Sequence, residues 1–241
     1  MNRRFELLVF LSLAIVLTLF PLWSLPLKWF ETLFHETSHA LAAVLTGGSV
    51  DKISLSFDGS GLAWSRGGIP FVIAWAGYAG ALFWGALLYA MGSAMARNTV
   101  RWTAGALLIA GSLQAFFWLQ ADVATYAIMT VLLVIVALML HPWAAKLAKP
   151  FLRLIGAFVL VSAIISPSYL LKTDQANDAI TLANMTGIPA QMWAVGWMGL
   201  GVLTALMLFW WEGKSQKDQS FNNRFKVRST PRWKFWAGGF H

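Results

Sequence analysis

His35-Glu36-Thr37-Ser38-His39 sets two imidazoles four residues apart with a carboxylate beside the first. On a helix that spacing puts both rings on one face about one turn apart, where they grip a single Zn²⁺, and Glu36 comes within reach of a water at the metal. The pattern belongs to the chemistry of aqueous metalloproteases. Here it lies inside an apolar stretch long enough to cross a bilayer, where ionisable side chains are expensive unless paired or ligated. Three of them in five positions therefore mark a functional site.

A hydrolytic zinc site takes a third protein ligand and keeps a fourth position for water. Asp122 is the leading candidate, because it is the only carboxylate between Asp58 and Asp174 and its surroundings are apolar. The plainer reading is an acid exposed in a loop between two spans. Asp178 is the second candidate, although in Asn177-Asp178-Ala179 it also suits the start of a helix running to Met185. Glu31 lies one turn before His35 and is a ligand, an acceptor for an imidazole N–H, or simply a first-turn acid. His141 and His241 have no metal spacing to anything. With no cysteine in the chain, a metal must be held by nitrogen and oxygen.

The elements that position these groups are membrane elements. Hydrophobic residues form 58% of the chain and charged residues only 12%, against about 25% charged in soluble domains. The formal charge of +8 comes in part from Arg3 and from Lys214, Lys217, Arg224, Lys226, Arg228, Arg232 and Lys234. Basic flanks of apolar spans hold topology and meet anionic lipid, so the partner implied is the bilayer and no nucleic acid is expected.

Leu7 to Trp23, preceded by Arg3 and Arg4, reads as an uncleaved span, since no small-x-small cleavage site follows. A second helix starts near Ser24 as N-cap with Pro26 in its first turn, and Gly47-Gly48 stops it; the zinc motif falls near its middle. Val50 to Phe57 alternates apolar and polar residues, Asp58-Gly59-Ser60-Gly61 turns, and Leu62 to Ser65 returns. That is a short β-hairpin, either a linking turn or a strand edge able to pair with an unwound peptide. Ile69 to Met95 carries Gly77, Ala81 and Gly85 on one stripe, a packing surface that could face the zinc helix. Trp102 to Leu140 is too long for one span and reads as two joined around Gln120 to Ala124, or as a re-entrant segment. Phe151 to Leu171 and Met192 to Trp211 follow, separated by a polar segment, Lys172 to Thr186, of helical character.

The sum is an all-α polytopic membrane protein of about seven transmembrane helices with a short β-hairpin after the zinc-motif helix. Residues 1–212 form the membrane domain. Residues 213–241 form a basic tail, with Trp233, Phe235, Trp236 and Phe240 among its cations, that is disordered or lies on the membrane surface.

Phe34-His35-Glu36-Thr37-Ser38-His39-Ala40-Leu41-Ala42, then Gly47-Gly48 and a hairpin, then Gly77-Tyr78-Ala79-Gly80, resembles the site-2 protease family of intramembrane zinc metallopeptidases, in its compact bacterial B-like branch. Asp178-Ala179, Leu182-Ala183, Thr186-Gly187-Ile188-Pro189 and Trp193 extend the resemblance, which covers about Leu25 to Trp197. It implies a helical bundle in a bacterial inner membrane, with a buried hydrolytic site for transmembrane segments of membrane-protein substrates. It also implies His35, His39 and Asp122 as Zn²⁺ ligands and Glu36 as catalytic base. The family's Leu-Asp-Gly context and preceding Asn-Pro element are missing at Gln120-Ala121-Asp122-Val123. The rival from another class is a catalytically silent membrane scaffold or chaperone that keeps a structural metal site.

Overall fold

Apolar helices carry most of the chain in the computed structural model, which describes residues 2–170 and 177–229. In chain order these are α1 (Arg3–Thr18), α2 (Pro21–Leu45), β1 (Ser49–Leu55), β2 (Gly61–Arg66), α3 (Pro70–Ala94), α4 (Arg97–Trp118) and α5 (Val123–Leu140). A 3₁₀ turn (Pro142–Lys146) then leads to α6 (Ala148–Ile165), α7 (Pro167–Leu170), α8 (Asp178–Thr186) and α9 (Ala190–Ser229). Among the described residues, five stretches are long and apolar enough to cross a membrane: α3, Asn98–Trp118 of α4, α5, Ala148–Leu170 and Ala190–Lys217 of α9. A sixth is added if α1 and α2, which meet at a bend of 113°, count as one broken span. The expected seven becomes five or six because α1 has only 16 residues and α2 carries Lys28, Glu31, His35, Glu36 and His39.

Pro21 opens α2 at its first helical position, where its missing N–H would have had no partner anyway. The helix therefore starts three residues before Ser24, whose hydroxyl donates back to the Phe20 carbonyl, and Pro26 lies inside it.

Glycines on α3 and on the facing α6 set the neighbours of α3. A Cβ on Gly85 would sit 2.7 Å from the Leu160 backbone nitrogen, and one on Gly156 2.4 Å from that of Tyr89, so α3 and α6 touch backbone to backbone. On the other side Gly77 and Gly80 lie against α2. The small-residue stripe thus meets the zinc-motif helix at Gly77 and α6 at Gly85. Ala157, Phe158, Val159 and Leu160 of α6 are fully or almost fully buried in the resulting core.

β1 and β2 pair antiparallel, with an irregularity between Val50 and Lys52. The turn is held by Asp58, whose carboxylate accepts from the Ser60 N–H and hydroxyl, and by Gly59 at φ 86°. The outer edge of β1 is tied to the α4–α5 connection: the Gln120 N–H donates to the Ile53 carbonyl at 2.8 Å, and the Leu55 N–H to the Thr125 hydroxyl at 3.0 Å. The outer edge of β2 pairs with no strand among the described residues.

The break between α4 and α5 falls at residues 119–122, where the sequence places it. The helical part of the polar segment is α8; Lys172 and Asp174 lie outside the described residues. α9 continues through position 212 as unbroken helix to Ser229, while Arg232, Trp233, Lys234, Phe235, Trp236 and Phe240 lie outside the described residues.

Candidate active site

The imidazoles of α2 converge. His35 Nε2 and His39 Nε2 are 3.0 Å apart, with ring centroids at 4.7 Å and an interplanar angle of 80°. His39 Nδ1 lies 2.6 Å from the Ile73 carbonyl in the first turn of α3. A carbonyl accepts only, so Nδ1 carries a proton and donates to it, which leaves Nε2 to face His35 and Asp178. Space for two rings side by side comes from Gly77, where a Cβ would stand 2.5 Å from His39 Nε2 and 2.6 Å from His35 Nε2. The next residue, Tyr78, meets the His35 ring edge-on at 4.7 Å.

The acid arrives from α8. Asp178 Oδ2 is 3.2 Å from His35 Nε2 and 3.3 Å from His39 Nε2. Asn177 takes the N-cap position, its side chain accepting from the Ile180 N–H at 3.1 Å, which leaves the first helical residue free to turn toward α2. Burial pushes the Asp178 carboxyl up, but hydrogen bonds and charge from His35 and His39 outweigh it and hold the group well below the usual carboxylate range.

Those three donor atoms fit a metal. Zinc with bonds of about 2.0–2.1 Å in tetrahedral geometry needs its donors roughly 3.3–3.4 Å apart. The observed separations are 3.0, 3.2 and 3.3 Å, and His35, His39 and Asp178 form the one group of potential metal-holding side chains found among the described residues.

Asp122 is not at this centre, and the expectation placing it there is corrected by the geometry. It is the N-cap of α5, its carboxylate accepting from the Thr125 N–H at 2.9 Å and the Thr125 hydroxyl at 2.8 Å. Those two bonds hold it below the usual carboxylate range. The α4–α5 connection is committed to the far edge of the hairpin, so no acid on it reaches the imidazoles. Glu31 also turns elsewhere and pairs with Lys28.

Glu36 stays with the imidazoles. Its side chain is buried beside the backbone N–H of Ala63 in β2. A Cβ on Gly61 would lie 2.9 Å from Glu36 Cγ and 2.6 Å from Thr32 Cγ2, so glycine lets β2 lie flush on α2. A cavity of about 570 Å³ is bounded by His35, Glu36, His39, Asp178, Tyr78 and the β2 residue Ala63. β2 and the metal-binding geometry therefore share one space. The two middle residues of the motif serve packing: Thr37 accepts from Gln114 of α4 at 2.8 Å, and the Ser38 hydroxyl donates to the Phe34 carbonyl. Spacing marks Gly77 as a packing residue and the family resemblance includes it, but neither points to the room it makes for the imidazoles, to the Ile73 carbonyl, or to Asn177 as the residue that releases Asp178.

Residues 7–213 match the profile of the family described as Peptidase M50B-like. No curated protein and no solved structure matches the chain.

Proposed function

The chain belongs to the Peptidase M50B-like family, within the site-2 proteases, and from that premise we propose that it is an intramembrane zinc metalloprotease. Its substrates are membrane proteins, cut in or near their transmembrane segments, and its place is the inner membrane of a bacterial cell. The observation that carries this reading is the convergence of His35, His39 and Asp178 with Glu36 on one cavity inside an apolar helical protein.

His35, His39 and Asp178 would hold the ion. When bound, Zn²⁺ polarises the scissile carbonyl and acidifies a water molecule. Glu36 takes the proton of the attacking water and passes it to the leaving amine, so that one water is added across the C–N bond and the base is regenerated. The Ile73 carbonyl fixes the His39 tautomer, so that its Nε2 remains an acceptor facing the ion's position. Helical carbonyls are already bonded and shielded, so the substrate must unwind before it is cut. The open edge of β2 offers backbone groups to the extended strand that results.

Cleavage of a transmembrane reporter in proteoliposomes tests the reading. Glu36→Gln is expected to lower the rate by at least about 10²-fold with zinc content and fold unchanged. Cleavage at the wild-type rate by the zinc-loaded variant would remove the base and favour a silent scaffold with a structural metal.

A further inference from the structure

We infer that the Tyr78 hydroxyl donates a hydrogen bond to the oxygen of the scissile carbonyl as that oxygen gains negative charge, an inference that rests on the hydrolytic reading above. Tyr78 is on α3, directly after the glycine that makes room for both imidazoles, and it lines the cavity shared with Glu36 and Asp178. Its ring is clamped between the His35 ring at 4.7 Å and the Trp197 ring at 4.8 Å, and only 8% of the residue is exposed.

The hydroxyl at the end of that clamped ring is uncommitted. It makes no hydrogen bond among the described residues and, unlike the fully buried and unpartnered Tyr89 hydroxyl, it is not sealed off from open space. A buried phenol ordinarily finds an acceptor. For Tyr78 the remaining direction is the open cavity, where a substrate would lie. Two neighbouring side-chain donors are engaged, the His39 Nδ1–H on the Ile73 carbonyl and the Thr181 hydroxyl on the Asn177 carbonyl, while Ser65 and the backbone of β2 line the cavity on the hairpin side. Glu36 and Asp178, as carboxylates, only accept. A peptide carbonyl that becomes an oxyanion needs a fixed donor in a site poor in water, and a phenol held by two rings supplies one without reorganisation.

The bland account of Tyr78 is ring packing, and Tyr78→Phe separates the two because it keeps both ring contacts and removes only the O–H. In reporter cleavage by the zinc-loaded enzyme, Tyr78→Phe is expected to lower kcat by about 10²-fold with KM within about threefold. Zinc content should be unchanged. A peptide phosphonamidate, which carries the tetrahedral anion, should bind Tyr78→Phe more weakly by a similar factor, while binding of the uncut peptide to Glu36→Gln should not change when Tyr78→Phe is added. A kcat within twofold of wild type, or a loss confined to KM, overturns the inference. If wild type itself cleaves no faster than Glu36→Gln, the hydrolytic reading falls and this one with it. If wild type far exceeds Glu36→Gln while Tyr78→Phe matches wild type, only the donor role is lost.

Discussion

Two helix starts, those of α5 and α8, each place an aspartate beside a polar partner, and the two aspartates end in opposite roles. At α5 the acid itself is the cap: Asp122 takes both the N–H and the hydroxyl of Thr125, and its carboxylate is used up locally. At α8 the preceding Asn177 is the cap, so Asp178 is relieved of that duty and reaches across to α2. The difference is one residue of register, and it decides which helix feeds the metal site. An acid in apolar surroundings is thus a weak pointer to a ligand when it can satisfy itself against its own backbone.

The largest effect expected from this comparison is on activity. Asp178→Ala should reduce reporter cleavage by about 10³-fold or more, because the ion loses one of three protein donors, whereas Asp122→Ala should stay within about twofold. Comparable losses in both would break the distinction. A smaller effect is expected from crowding the rings: the methyl of Gly77→Ala would press on both Nε2 atoms, which Ile73 and Asp178 keep from swinging away. Zinc affinity, measured by competition with a chelator, should drop by at least about tenfold, and an unchanged affinity would mean that the rings have room the structure denies them.

The smallest effect belongs to the cap. Asp122→Ala should lower the stability of the folded protein by about 1 kcal/mol, read by thermal unfolding in detergent. Its pH dependence has a defined sign. The folded-state pKa of Asp122 is depressed, first by the Thr125 N–H and then by the Thr125 hydroxyl, so its contribution is fully present above the unfolded value of about 4 and fades as pH falls through the lower folded value. The gap between wild type and Asp122→Ala should therefore narrow under acid; a gap that widens there would contradict the capping role.

Much of the frame was legible in residues. Alternation from Val50 to Phe57 and the Asp58-Gly59 turn locate the hairpin, and Gln120 to Ala124 locates the break between α4 and α5, because turn chemistry and periodicity are local properties. The His35 and His39 pair was legible for the same reason, since four-residue spacing on a helix fixes a shared face. The acid was not. Its identity depends on α8 packing against α3 and α9 from far along the chain so that Asp178 meets the imidazoles of α2, and neither charge nor hydropathy records that return. The N-cap of α2 is Phe20, four residues before Ser24, because Pro21 suits a first helical position as well as Pro26 does. Gly77 and Gly85 sit on one stripe yet serve different partners, which spacing alone does not separate.

The central claim is that the acid of the metal site comes from α8. Zinc content of the purified full chain, measured for wild type, His35→Ala, Asp178→Ala and Asp122→Ala after identical dialysis, tests it most directly. The account predicts about one zinc per chain for wild type and Asp122→Ala, and a loss of most of it for His35→Ala and Asp178→Ala. Retention of zinc by Asp178→Ala together with its loss from Asp122→Ala would contradict the account.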